Sequence, residues 1–79
     1  MPTRDVSINR EPVELYKILK FEGLLPSGGE AKTAVADGQI KLNGVVETQK
    51  RKKIVNGDII EYGDEKLRIV LDTTGTTTA

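Results

Sequence analysis

Histidine, cysteine and tryptophan are all missing from this chain of 79 residues, and each absence removes a class of chemistry. Without histidine the commonest general base and the commonest metal ligand are gone. Without cysteine there is no thiolate nucleophile, no iron–sulfur ligation, no disulfide and no tetrahedral zinc site of the usual kind. Aromatic side chains are limited to Tyr16, Phe21 and Tyr62. No stretch of about 18 apolar residues is present to span a bilayer, and the N-terminus lacks the basic-then-apolar order of a signal peptide. The expectation is a cytoplasmic protein with no membrane partner. The carboxylates Glu61, Asp64 and Glu65 lie in or beside a turn with no partner base, so no catalytic residue, cofactor or metal is expected and the chain reads as a non-enzyme.

What is present suffices for one small domain. Residues 1–11 mix proline, charge and short apolar side chains, which fits an N-terminal arm or a short edge strand through Val6 and Ile8. From Pro12 the pattern becomes helical: Leu15, Ile18 and Leu19 recur at i, i+3 and i+4, with proline near the first turn and Gly23 at the C-terminal cap. Ser27 and Glu30 have capping-box spacing and start a second helix, whose apolar stripe is Ala31, Ala34 and Val35 and whose cap is Gly38. The short connection through Leu24, Leu25 and Pro26 makes the helices neighbours. After Gly38 the apolar period drops to two. Asn43-Gly44 between Ile40–Leu42 and Val45-Val46 is a hairpin signal, and Asn56-Gly57-Asp58 and Gly63-Asp64 punctuate two further strands. The order of elements predicts an α+β fold, two N-terminal helices on a small, mainly antiparallel twisted sheet over residues 12–71. Residues 72–79 read as a disordered tail.

Formal net charge is zero, but the charge is unevenly spread. Five cations face six carboxylates over residues 1–40; residues 41–53 carry Lys41, Lys50, Arg51, Lys52 and Lys53 against Glu47 alone; residues 54–79 are net acidic. Four consecutive cations repel one another, and an anionic partner relieves that repulsion while releasing condensed counterions. The same run also reads as a solvated loop balanced by Asp58, Glu61 and Glu65. A helix N-terminus at Ser27, Gly28 and Gly29 offers free backbone N–H groups to an anion, or is an ordinary capped end. Asn43 is either a turn residue or an amide that reaches a base or ribose.

The stretch from Glu14 to Val70 resembles the S-four RNA-binding domain, or alpha-L motif. The resemblance rests on Leu15, Leu19, Gly23-Leu24-Leu25-Pro26, Ser27, Ala31-Lys32, Asp37–Gly44 and Val55–Ile60, and the form of the second helix is similar to that of short stand-alone bacterial members. It implies RNA lying against the second helix and the hairpin. By that resemblance the RNA-binding residues are Ser27, Gly28, Lys32, Lys41, Asn43, Lys50, Arg51, Lys52 and Lys53. Many relatives carry arginine directly after the serine; Gly28 stands there in this chain and loses a bidentate phosphate contact. The implied function is recognition of structured RNA, ribosomal or transfer RNA, by a ribosome-associated monomer. The competing expectation is a protein-interaction adaptor that docks an acidic partner through the same basic loop.

Overall fold

Apolar residues fall where two helices and seven short strands can share one core. The computed structural model describes residues 3–72; apart from Asp72, the expected disordered tail lies outside the described residues. The chain runs β1 (Thr3–Ile8), β2 (Val13–Glu14), α1 (Leu15–Phe21), α2 (Gly28–Ala36), β3 (Ile40–Leu42), β4 (Val45–Val46), β5 (Lys53–Ile54), β6 (Ile59–Tyr62) and β7 (Glu65–Leu71).

Both helices stop as expected. After α1, Gly23 takes φ +75° and the N–H groups of Gly23 and Leu24 donate to the carbonyls of Lys20 and Leu19. After α2, Gly38 takes φ +79° and the N–H groups of Gly38 and Gln39 donate to Val35 and Ala34. Each pair is a Schellman closure, which needs a left-handed residue at the position glycine occupies. Ser27 caps α2, its hydroxyl accepting from the Glu30 N–H at 3.2 Å. The start of α1 differs from the expectation: the helix begins at Leu15, and Pro12 precedes the two-residue strand β2.

Five strands form a sheet in the order β1-β7-β6-β3-β4, and β2 pairs with β5 in a separate antiparallel ladder. The three pairs among β7, β6, β3 and β4 are antiparallel. β1 lies parallel to β7, with Val6 opposite Ile69. This corrects the sequence reading on one count: strands precede the helices, so the helices are not first. The sheet is mixed through β1 alone and is mainly antiparallel, as expected. Residues 3–8 are therefore part of the sheet, and no arm is divided from a domain at residue 12. The Asp72 N–H donates to the Ile8 carbonyl at 2.8 Å; strand alternation then turns the backbone groups of Arg4, Val6 and Ile8 toward β7 and those of Asp5 and Ser7 to the open edge.

One face of the sheet is apolar. Val6, Ile8, Ile40, Leu42, Ile60, Leu67 and Ile69 join Leu15, Ile18 and Leu19 of α1 and Ala31, Ala34 and Val35 of α2 in a single buried cluster, completed by Ile54. Among the described residues no polar or charged residue is buried. The other face carries Asp5, Lys41, Glu61, Lys66 and Arg68.

Candidate nucleic-acid interface

The α1 helix has no side-chain cap: Glu14 precedes it without a capping hydrogen bond. Its first N–H groups are satisfied from far along the chain, Leu15 donating to the Lys52 carbonyl at 2.9 Å and Tyr16 to the Lys50 carbonyl at 3.1 Å. Next to them Lys53 of β5 stands opposite Glu14 of β2. The loop also holds itself: the Gln49 N–H donates to the Glu47 carboxylate and the Lys52 N–H to the Gln49 carbonyl. The backbone of the basic run is thus fastened to the start of α1, and its four side chains are exposed.

Lys32 arrives from α2. Its ammonium lies 4.8 Å from the centre of the Tyr16 ring, within reach of the ring's negative face. Tyr16 therefore touches both halves of the surface, the loop through its N–H and α2 through its ring. The tyrosine is distant in sequence from the basic loop, and sequence reasoning passed over it. Lys20 was also passed over. A Cβ built on Gly28 would lie 3.8 Å from Lys20 Cδ and 3.9 Å from Tyr16 Cε2, so Lys20 runs past the position from which a longer side chain after Ser27 would emerge. The signal available in the sequence was the i, i+4 spacing of Tyr16 and Lys20 on one helix.

Lys41 stands elsewhere. Its register neighbours are Val46 and Glu61 on the face of the sheet turned away from the helices. Asn43 keeps the turn, with φ +53° followed by Gly44 at +86°, the pair of left-handed residues a type I′ hairpin requires. Its amide is also occupied: Nδ2 donates to Asp58 at 3.2 Å and Oδ1 accepts from the Ile59 N–H at 2.9 Å. Two stretches on which the resemblance rests, Asp37–Gly44 and Val55–Ile60, are thus tied to each other. Asn43→Ala should lose both bonds and leave a non-glycine residue in left-handed backbone, costing about 2 kcal/mol and lowering Tm by about 10 °C. Thermal melting followed by circular dichroism checks this, and Asn43→Gly, which relieves the backbone alone, should recover only part of the loss.

Among the described residues the ion pairs are Arg4–Glu22, Lys17–Glu14 and Arg68–Asp5. The Asp5 carboxylate accepts two hydrogen bonds from the Arg68 guanidinium at 3.0 Å, which raise the Arg68 pKa above its already high ordinary value. Lys32, Lys41, Lys50, Arg51, Lys52 and Lys53 have no carboxylate within 4.0 Å. The Lys32 ammonium reaches Tyr16, and the backbone of residues 50–53 is held beside the start of α1; Lys41 lies apart from both. Among the described residues no helix is long and apolar enough to cross a membrane, and no group of three or more acidic side chains is placed to hold a metal ion.

The chain is similar to YbcJ of Escherichia coli (strain K12), designated an RNA-binding candidate, at 45% identity over 65 residues, covering 81% of this chain and 93% of that protein. RlbA of Bacillus subtilis (strain 168), designated a candidate ribosome maturation protein, is 29% identical over 56 residues, which is 71% of this chain and 79% of that one. The solution structure of E. coli YbcJ, described as revealing an alfaL motif involved in RNA binding, superposes with a TM-score of 0.68 at 41% identity, covering 89% of this chain and 90% of that one. The sequence profile of the S4 domain matches residues 6–70. With that match spanning most of its length and the alpha-L arrangement present in its fold, the chain belongs to the S4 domain family.

Proposed function

We propose that the protein is a non-catalytic RNA-binding protein of the cytoplasm, acting as a monomer on structured ribosomal or transfer RNA. The observation that carries this reading is that the backbone of the exposed run Lys50, Arg51, Lys52 and Lys53 is held at the start of α1, where Tyr16 also meets Lys32, and that none of these five cations is neutralised by a carboxylate. Phosphates are the anions assigned to this surface, since each one neutralised by a Lys or Arg releases condensed counterions. The N-terminus of α2 at Ser27 and Gly28 adjoins the same surface through Tyr16. In this reading Lys41 adds longer-range attraction from the sheet, and Asn43 acts by holding the hairpin. The relatives designated RNA-binding and ribosome-maturing support the same class of partner.

The test is the affinity for a structured RNA hairpin measured against salt. Five phosphate contacts predict a slope of log K against log salt of about −4. A slope near zero, or no binding, rejects the reading. Crosslinking in cells followed by sequencing of the attached RNA distinguishes ribosomal from transfer RNA.

A further inference from the structure

We infer that the groove between β1 and α1 receives an unpaired nucleobase from the RNA whose backbone lies on the cationic surface; this rests on the RNA-binding reading above. The groove has a volume of about 870 Å³, within the usual range for small-molecule sites of about 300–1,000 Å³. Two of the chain's three aromatic residues, Tyr16 and Phe21, line it, with Lys20 and Gly28 beside them.

Tyr16 is the wall shared by the groove and the phosphate surface. It lines the groove, while the Lys32 ammonium, which does not line it, sits 4.8 Å from the ring centre. A nucleotide whose phosphate meets the cations would therefore have its base next to an aromatic-lined cleft. Phe21 is 69% exposed, with the Lys20 ammonium 5.9 Å from its ring centre. An exposed ring with a cation beside it is a stacking platform for a base. Ser7, also on the groove, turns its unpaired N–H and C=O outward from the β1 edge and offers a donor and an acceptor to a base edge.

Gly28 has a different meaning in this setting. A longer side chain there would grow between Tyr16 and Lys20 and fill the cleft; its absence costs a phosphate contact and leaves the cleft open. Charge favours a nucleotide over an acidic polypeptide strand only through continuity with the phosphate surface. The charged residues on the groove balance, Arg10, Lys17 and Lys20 against Glu14, Glu22 and Asp72, so its own charge selects neither partner. The aromatic pair decides for the base.

The experiment compares the full chain's affinity for three RNAs: an uninterrupted hairpin stem, the same stem with one bulged adenosine, and the same bulge carrying an abasic residue. The bulged adenosine should bind about tenfold tighter than the other two, the size expected of one stacked base. Phe21→Ala should abolish that preference and Phe21→Tyr should keep it. Equal affinity for the abasic and adenosine bulges, or loss of affinity for all three RNAs alike in Phe21→Ala, overturns the inference while leaving RNA binding intact. If none of the three binds, the RNA reading falls and this one with it. If the Ser7 and Phe21 amide signals move on adding the peptide Ac-Glu-Val-Glu-Val-Glu and not on adding the bulged RNA, the groove is a polypeptide site and the inference fails.

Discussion

Replacing Lys50, Arg51, Lys52 and Lys53 together with glutamine is expected to reduce the salt slope of RNA binding from about −4 to about −1. Raising salt from about 50 to about 200 mM should then weaken the variant's binding about fourfold, against about 250-fold for the unmodified chain. The fold should survive, because the four side chains are exposed and unpaired and the carbonyls of Lys50 and Lys52 that cap α1 belong to the backbone. Removing four adjacent like charges relieves repulsion, so thermal stability should hold or rise. Lys41→Gln, on the far face of the sheet, should change the slope by at most about one. Filter binding across a salt series measures all of this. An unchanged slope in the quadruple variant would remove the loop from the interface.

Ile60→Ala should remove most of the protein's stability at 25 °C and shift its urea midpoint far toward zero. Ile60 is fully buried, and its cross-strand partners are Leu42 and Leu67, so truncation opens a cavity between strands that cannot close by sliding. Substitutions of this kind cost about 2–5 kcal/mol, and a domain of this size is stable by only about 3–5 kcal/mol. Val45→Ala, at a residue 70% exposed, should change stability by less than about 0.5 kcal/mol. Urea titration followed by circular dichroism gives both values. Indistinguishable midpoints for the two variants would mean that the sheet does not bury what its register implies.

The two glycine-closed helix ends, the Ser27 cap and the Asn43-Gly44 turn were legible because each is set by residues within five positions of one another. The β1 strand was not. Val6 and Ile8 give only two apolar repeats, and their partners Ile69 and Leu71 lie about 60 residues on, with no turn between to announce a parallel pair. The start of α1 was misread for the same kind of reason. Proline near a first turn is a local cue, while the groups that fix the helix start are carbonyls in a loop more than 30 residues away. The candidate site divides along the same line. The basic run is visible as composition, but Tyr16 and Lys20 join it only because α1 packs against both the loop and α2. Lys41, which shares the hairpin's sequence, is carried by strand alternation to the opposite face.

A long basic loop would ordinarily have to be ordered by its partner, and part of the attraction would be spent on that ordering. Here Leu15 and Tyr16 grip the loop's carbonyls, so the main chain that carries the charges is ordered before any polyanion arrives. Encounter can then proceed by electrostatic steering without waiting on a conformational step, which favours a fast on-rate. On the proposed reading, the same two hydrogen bonds that begin a helix also set the kinetics of capture.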